Sequence, residues 1–217
     1  MNVARGSTPA ASGRSRAGRP AGRPPGRAEG EIREDILQAA ARLFAEGGYA
    51  GTPVQAIVDA AGTTKPMVYY YFQNKAGLYR EVVAASYGRV RKGLEQIPEE
   101  GDIQSLLTAV VEANFGLYRE APYLARFTLI PILLPRHDAP EVDAEALGAI
   151  NYRIIQRILD IGVRAGEVAG DSSEIALDLT GLIAIPILAQ FVHNDPRMVE
   201  TEAAGRLVER LLDGIRK

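Results

Sequence analysis

The 217-residue chain contains no cysteine, so neither a disulfide nor a thiolate metal site can hold it together. A reducing compartment fits that absence. Its two histidines, His137 and His193, are too few for a histidine metal centre, and no cofactor is expected. The longest uncharged apolar run, 179–192, falls short of the ~20 residues that span a bilayer, so no membrane partner is expected. No apolar segment follows the N-terminal arginines, which argues against a signal peptide. The chain also shows no nucleophile–base pair, no glycine-rich phosphate loop after a strand and no metal-ligand spacing. An enzyme is therefore not expected.

Acidic residues are missing from one place in particular. Residues 1–28 hold six arginines (Arg5, Arg14, Arg16, Arg19, Arg23 and Arg27) and no acid. The whole chain carries a net charge of −2, so residues 29–217 carry −8. A basic arm on an acidic body implies that the arm meets a polyanion. Its Gly, Pro, Ala, Ser and Arg composition offers almost no large apolar residue, so 1–28 is expected to be disordered. The repeated Gly-Arg-Pro unit is similar to the core of an AT-hook, whose arginine enters a narrow minor groove, but the arginine that normally precedes the glycine is missing. A solubilising tail with general phosphate affinity is the competing reading.

Apolar residues make up 47% of the chain, enough for one large core or two smaller ones. Periodicity predicts helices almost throughout. Ile32, Ile36, Ala39, Ala40, Leu43 and Phe44 recur at three- and four-residue spacing over 31–46, and Gly47-Gly48 ends that helix. Thr52, Pro53 and Gln55 then read as a capping box opening a second helix, with Val54, Ile57, Val58 and Ala61 on its buried side. Gly62 supplies a turn, Thr63 or Thr64 a cap, and Pro66 the first turn of a third helix.

That third helix carries Tyr69, Tyr70, Tyr71 and Phe72 in succession. At about 100° per residue the three tyrosines span ~200°, too wide an arc for one core. Val68 and Phe72 define the buried side, with Tyr71 at its edge. Pro66 and Tyr70 face outward between Met67 and Tyr69, with Lys65 at the start. Such a face of aromatic, apolar and basic groups on a short helix suits a DNA groove.

Residues 30–80 resemble the DNA-binding domain of TetR-type (tetracycline-repressor-like) transcriptional regulators. The resemblance rests on Phe44, Gly48, Thr52, Ile57, Ala61-Gly62, Lys65, Tyr69, Tyr71-Phe72, Lys75 and Leu78. Thr63-Thr64 replaces the family's common Val-Ser, and Pro66 a frequent glycine. The resemblance implies an all-α protein of about nine helices: a three-helix helix-turn-helix domain over 29–80 and a ligand-binding and dimerisation bundle over 81–217. It makes Thr52, Tyr69 and Lys75 phosphate contacts and Lys65, Pro66, Met67 and Tyr70 candidates for base edges, with Thr64 beside them. Hydroxyls and a lysine suit phosphate oxygens, Pro66 and Met67 suit a thymine methyl, and Lys65 suits guanine O6/N7. The implied partners are a double-stranded operator, a small-molecule effector and a second copy of the chain; the implied location is the bacterial cytoplasm, at the nucleoid.

In the second domain, helices are predicted from Asp102, from Pro122 to 134 with a bend at Pro131, over 142–164, from Asp171, and from Asp195-Pro196 to 216. The helix from Asp171 is apolar all round and must be covered on two sides. The resemblance implies a dimer through the last two helices, and Leu179, Ile183, Ile187, Leu207 and Leu211 are the interface candidates. A fully buried helix in a monomer is the competing reading. The implied effector pocket has Phe115, Tyr118, Tyr123, Phe127, His137, Tyr152 and Phe191 as candidates, and the scarcity of charge there favours a mostly apolar ligand. Three functional readings remain: a repressor released by its effector, an activator, and a DNA-binding regulator without a ligand.

Overall fold

The computed structural model describes residues 29–98, 100–133, 138–142 and 144–215. The basic arm over 1–28 and His137 lie outside them. The first three helices pack as a small unit: α1 (Glu29–Gly51), α2 (Val54–Ala61) and α3 (Lys65–Phe72), followed by α4 (Lys75–Leu94). The stripe expected on α1 is the one that is buried, with Ile36, Ala39, Ala40 and Phe44 against Ile57, Val58, Val68, Phe72 and Leu78. Gly48 breaks α1 with φ 71°, ψ 170°, where the double glycine marked its end.

The start of α2 departs from the expected capping box. Pro53 occupies the cap, and its side chain offers no acceptor. Thr52 precedes it and is only 4% exposed, its Oγ1 proton shared between the carbonyls of Gly48 (2.8 Å) and Leu43 (3.0 Å). The threonine therefore closes the end of α1. Gln55 donates to Asp59 along its own helix instead of reaching back to Thr52.

Two tight turns set the angles around α3. Gly62 adopts the left-handed conformation (φ 60°, ψ 41°), and the N–H groups of Gly62 and Thr63 bond back to Asp59 and Val58. After α3, Asn74 caps α4 by accepting from the Gly77 N–H at 2.8 Å. A Cβ on Gly77 would lie 2.2 Å from the Phe72 carbonyl oxygen, a backbone atom that cannot swing away. Gly77→Ala is expected to cost ~2–4 kcal/mol by forcing this turn open. Gly88→Ala, further along α4 with nothing within 4 Å, should be neutral or stabilising by up to ~1 kcal/mol. Urea denaturation of the two variants checks the opposite signs.

The second unit comprises α5 (Ile103–Glu120), short helices α6 (Ala125–Thr128) and α7 (Ile130–Leu133), α8 (Ala144–Ala165), α9 (Ser172–His193) and α10 (Thr201–Ile215). Asp102 and Asp171 cap α5 and α9 through backbone N–H groups, as their positions predicted; the Ser105 hydroxyl and then its N–H hold the Asp102 carboxyl below the usual carboxylate range, and the Ser173 and Glu174 N–H groups do the same for Asp171. The single helix expected from Pro122 is instead a 3₁₀ turn (Pro122–Leu124) and two pieces. Pro131 has no N–H to donate to the Phe127 carbonyl, and the Thr128 carbonyl is taken by the Tyr87 hydroxyl at 2.9 Å. The helix expected at Asp195-Pro196 is likewise a 3₁₀ turn, and extended Glu200 separates it from α10.

Two apolar clusters meet along α4. Leu78, Val82, Val83 and Tyr87 join the first, whereas Val90 and Leu94 join the second with α5, α8, α9 and α10. Helix α9 is long and apolar enough, by length and composition, to cross a membrane, with a mean hydropathy of 2.0. Its Ile175, Ala176, Leu179, Ile183 and Ile187 instead fill the second core.

Candidate nucleic-acid interface and regulatory core

Val68 and Phe72 anchor α3 in the first core and thereby fix what the helix shows to solvent. Tyr70 is 70% exposed and Tyr69 46%; Lys65, Pro66 and Thr64 are exposed and Met67 is half-buried. Tyr71 stays at the core edge, its ring 5.0 Å from that of Tyr70 in an edge-on contact. The expected division of the tyrosines is the one observed. Thr64 caps α3 without using its side chain, so its hydroxyl is available outward.

Two of the proposed phosphate contacts stand differently. Thr52 is buried, and its hydroxyl is already committed to carbonyls of α1. Lys75 sits 4.5 Å over the Tyr49 ring with its Nζ 3.5 Å from the Ala50 carbonyl. Partial burial lowers its pKa from the ordinary lysine value. It is a tethered cation at the N-terminus of α4, where backbone N–H groups also favour an anion. Arg33 is occupied elsewhere, pairing with Glu81 at 2.6 Å and lying 5.3 Å over the Phe72 ring, which ties α1 to α4 behind α3.

The regulatory core uses most of the expected pocket residues as packing. Phe115 and Tyr118 are fully buried in it. Burial pushes the Tyr118 hydroxyl up to about 12, while its hydrogen bond to Thr128 Oγ1 at 2.7 Å acts the other way. Phe127 belongs to the other core: it inserts among the helices of the DNA-binding unit, edge-on to Tyr79 at 6.2 Å. Tyr123 accepts from Arg89, Tyr152 reaches toward the Ser173 carbonyl, and Phe191 lies under the Arg126 guanidinium at 5.5 Å. A cavity of about 290 Å³ is lined by none of these residues. It opens where the end of α4 meets α8.

Several consequential residues carry no periodic signal. Arg126 donates to the Ala45 carbonyl at 3.0 Å, and with Phe127 and Thr128 makes α6 a clasp between the two units. Asn114 and Asn151 exchange amide hydrogen bonds at 2.8 and 3.1 Å between α5 and α8. Each depends on a partner at least 37 residues away, which a local sequence window does not contain.

The interface candidates on α9 lie on the side that this chain's own core covers. Leu179, Ile183 and Ile187, with Leu207 of α10, are buried in this chain's own core, and Leu211 packs half-buried against it. The open side of α9 carries Leu177 (65% exposed), Leu182, Ile185 (66%) and Val192 (69%). Either side satisfied the periodicity; only the packing partners distinguish them.

A helix-turn-helix with a rigidly anchored, outward-reading second helix, joined by one long helix to a separate bundle, defines a DNA-binding regulator. Residues 36–82 match the family model for bacterial regulatory proteins of the tetR family. The chain is 31% identical over 179 residues to the HTH-type transcriptional activator FasR of Mycolicibacterium smegmatis, covering 80% of this chain and 78% of that protein. It is 25% identical over 183 residues to the fatty acid metabolism regulator protein of Bacillus subtilis, covering 83% and 93%. A crystal structure of the B. subtilis transcriptional regulator FadR in complex with stearoyl-CoA shares the fold, with a TM-score of 0.67, 21% identity and coverage of 84% and 99%. The chain belongs to the tetR family of bacterial regulatory proteins, and is a DNA-binding transcription regulator rather than an enzyme.

Proposed function

We propose that this chain is a cytoplasmic repressor that binds a palindromic operator as a homodimer and is released by a mostly apolar effector carrying a fatty-acyl chain. The exposed face of α3 carries the reading: Lys65, Pro66, Met67 and Tyr70 form its groove surface, flanked by Thr64, Tyr69 and Lys75 for phosphates. That face lacks Asn, Gln and Arg, so bidentate base readout is weak and groove shape and thymine methyls matter more. The open apolar stripe on α9 supports the homodimer. A two-fold pair would set its recognition helices one DNA turn apart, ~34–36 Å.

The acyl effector is supported by the scarcity of charge in the regulatory core and by the Bacillus subtilis matches, named for fatty acid metabolism in sequence and crystallised as FadR with stearoyl-CoA. Activation is the second reading, favoured by the named activity of the Mycolicibacterium relative. Operator selection from random duplexes, followed by footprinting with and without an acyl ligand, tests the proposal. A palindromic footprint occupied by two chains and cleared by ligand is expected; a single half-site, or a footprint indifferent to every acyl compound, would reject it. A reporter with the operator placed over or upstream of the promoter decides the sign.

The arm adds a separate expectation. Residues 29–217 carry net −8, so the six arginines of 1–28 supply much of the long-range attraction to DNA. Deleting 1–28 should weaken operator binding and reduce the slope of log K against log salt by up to ~0.9 for each lost phosphate contact. A salt titration with an unchanged slope would remove the arm from the interface.

A further inference from the structure

The 290 Å³ cavity has a composition and position that the aromatic candidates do not share. Leu94, Leu106 and Ile158 form a buried floor, and Ile154 and Ile161 rise from it toward solvent. Its volume lies at the lower end of the range for small-molecule sites. Two charged residues line it, Glu95 and Arg157. Glu95 is paired with Arg91 on α4 at 3.5 Å. Arg157 is exposed and makes no hydrogen bond or ion pair among the described residues. An apolar trough with one unpaired guanidinium at its rim is complementary to an alkyl chain that ends in an anion.

We propose that this groove is the effector's site of entry, taking a fatty-acyl chain tail-first over Ile154, Ile158 and Ile161 while Arg157 holds its anionic head. The inference rests on the acyl reading above and adds the site and the charge of the ligand. The site differs from the aromatic cluster of Phe115 and Tyr118, which is closed by its own packing. Its position also supplies a lever. Leu94 is the last residue of α4, and Lys75 at the other end immediately follows the turn from the recognition helix. A chain wedged between Leu94 and Ile158 moves the end of a rod ~30 Å long whose other end holds α3.

Calorimetric titration of the full chain with dodecanoate, dodecanoyl-coenzyme A and coenzyme A alone tests it, using the wild type, Ile161→Glu and Arg157→Glu. Both positions are exposed, so both variants are expected to fold, and their melting curves verify this. Wild type should bind an acyl compound, and Ile161→Glu should weaken it by at least ~10-fold. Arg157→Glu should weaken it ~10-fold or more, with a smaller loss for a methyl ester, which has no anion for the guanidinium. Dodecanoate and dodecanoyl-coenzyme A separate a free carboxylate from a phosphorylated thioester as the source of the anion. If wild type binds neither, the acyl reading fails and this site with it. If wild type binds and both variants match it, the acyl reading stands and the groove is not the site. Photolabelling with a diazirine-bearing dodecanoate gives a readout independent of the variants: label on 94–98 or 154–161 supports the groove, and label confined to 115–118 overturns it.

Discussion

If the chain pairs through the open face of α9 as proposed, Ile185→Glu should yield a folded monomer that holds its operator at least ~100-fold less tightly than the parent. Ile185 is 66% exposed and contributes nothing to this chain's own core, so a charge there leaves the fold intact. It lies between Leu177 and Val192 on the same open stripe, and a two-fold contact places the substitution in the interface twice. Two unpaired carboxylates would then be buried against apolar surface at several kcal/mol. A monomer engages one half-site and loses the effective concentration that joins the second, typically a factor of ~10² to 10⁴. Sedimentation velocity and gel-shift titration measure both effects. Leu179→Ala should behave oppositely, because Leu179 is fully buried within the chain: it should lower unfolding stability by ~2–5 kcal/mol before it dissociates anything. A dimeric Ile185→Glu would move the partner surface away from the open face of α9.

Phe127→Ala should be the most disruptive single change between the two units. The ring is buried among helices of the DNA-binding unit although the residue sits on α6 in the regulatory half. Removing it leaves a cavity beside Tyr79 and should cost ~3–5 kcal/mol. Its neighbours complete the clasp: Arg126 holds the Ala45 carbonyl, and Thr128 is bonded to both Tyr87 and Tyr118. Phe127→Leu keeps most of the volume and should cost under ~1.5 kcal/mol. That milder variant is expected to bind DNA and effector separately while losing most of the effector's influence on DNA. Unfolding curves and operator titrations with and without ligand check the two variants. If Phe127→Leu responds to effector as the parent does, the signal passes along α4 alone.

The reading head was legible because its determinants are local. The Val68–Phe72 spacing, Gly62 and the angular spread of three tyrosines each act within one or two turns, and they place Tyr70 outside and Phe72 inside without tertiary information. Thr52 shows where that logic stops. Its position before Pro53 fits a cap, yet the break at Gly48 leaves carbonyls of α1 that the threonine hydroxyl satisfies more closely. The regulatory half was legible as helices and caps but not as a site. Phe115, Tyr118 and Phe127 look alike in sequence; two fill their own core and one crosses into the neighbouring unit. A helix apolar on both sides, as α9 is, does not reveal which side its own chain will cover. The groove beside Arg157 joins 94–98 and Leu106 to 154–161, far along the chain, so no short window of sequence contains it.

Effector binding at the bundle and operator binding at α3 must oppose each other through α4 and the α6 clasp packed against it. Reciprocal titration measures this coupling directly. Saturating acyl ligand should weaken operator affinity by some 5- to 150-fold, equivalent to ~1–3 kcal/mol. Saturating operator must then weaken acyl-ligand affinity by the same factor, because both measure one free energy. Equal factors in the two directions are the predicted result; an operator affinity that does not change at saturating acyl ligand would contradict it.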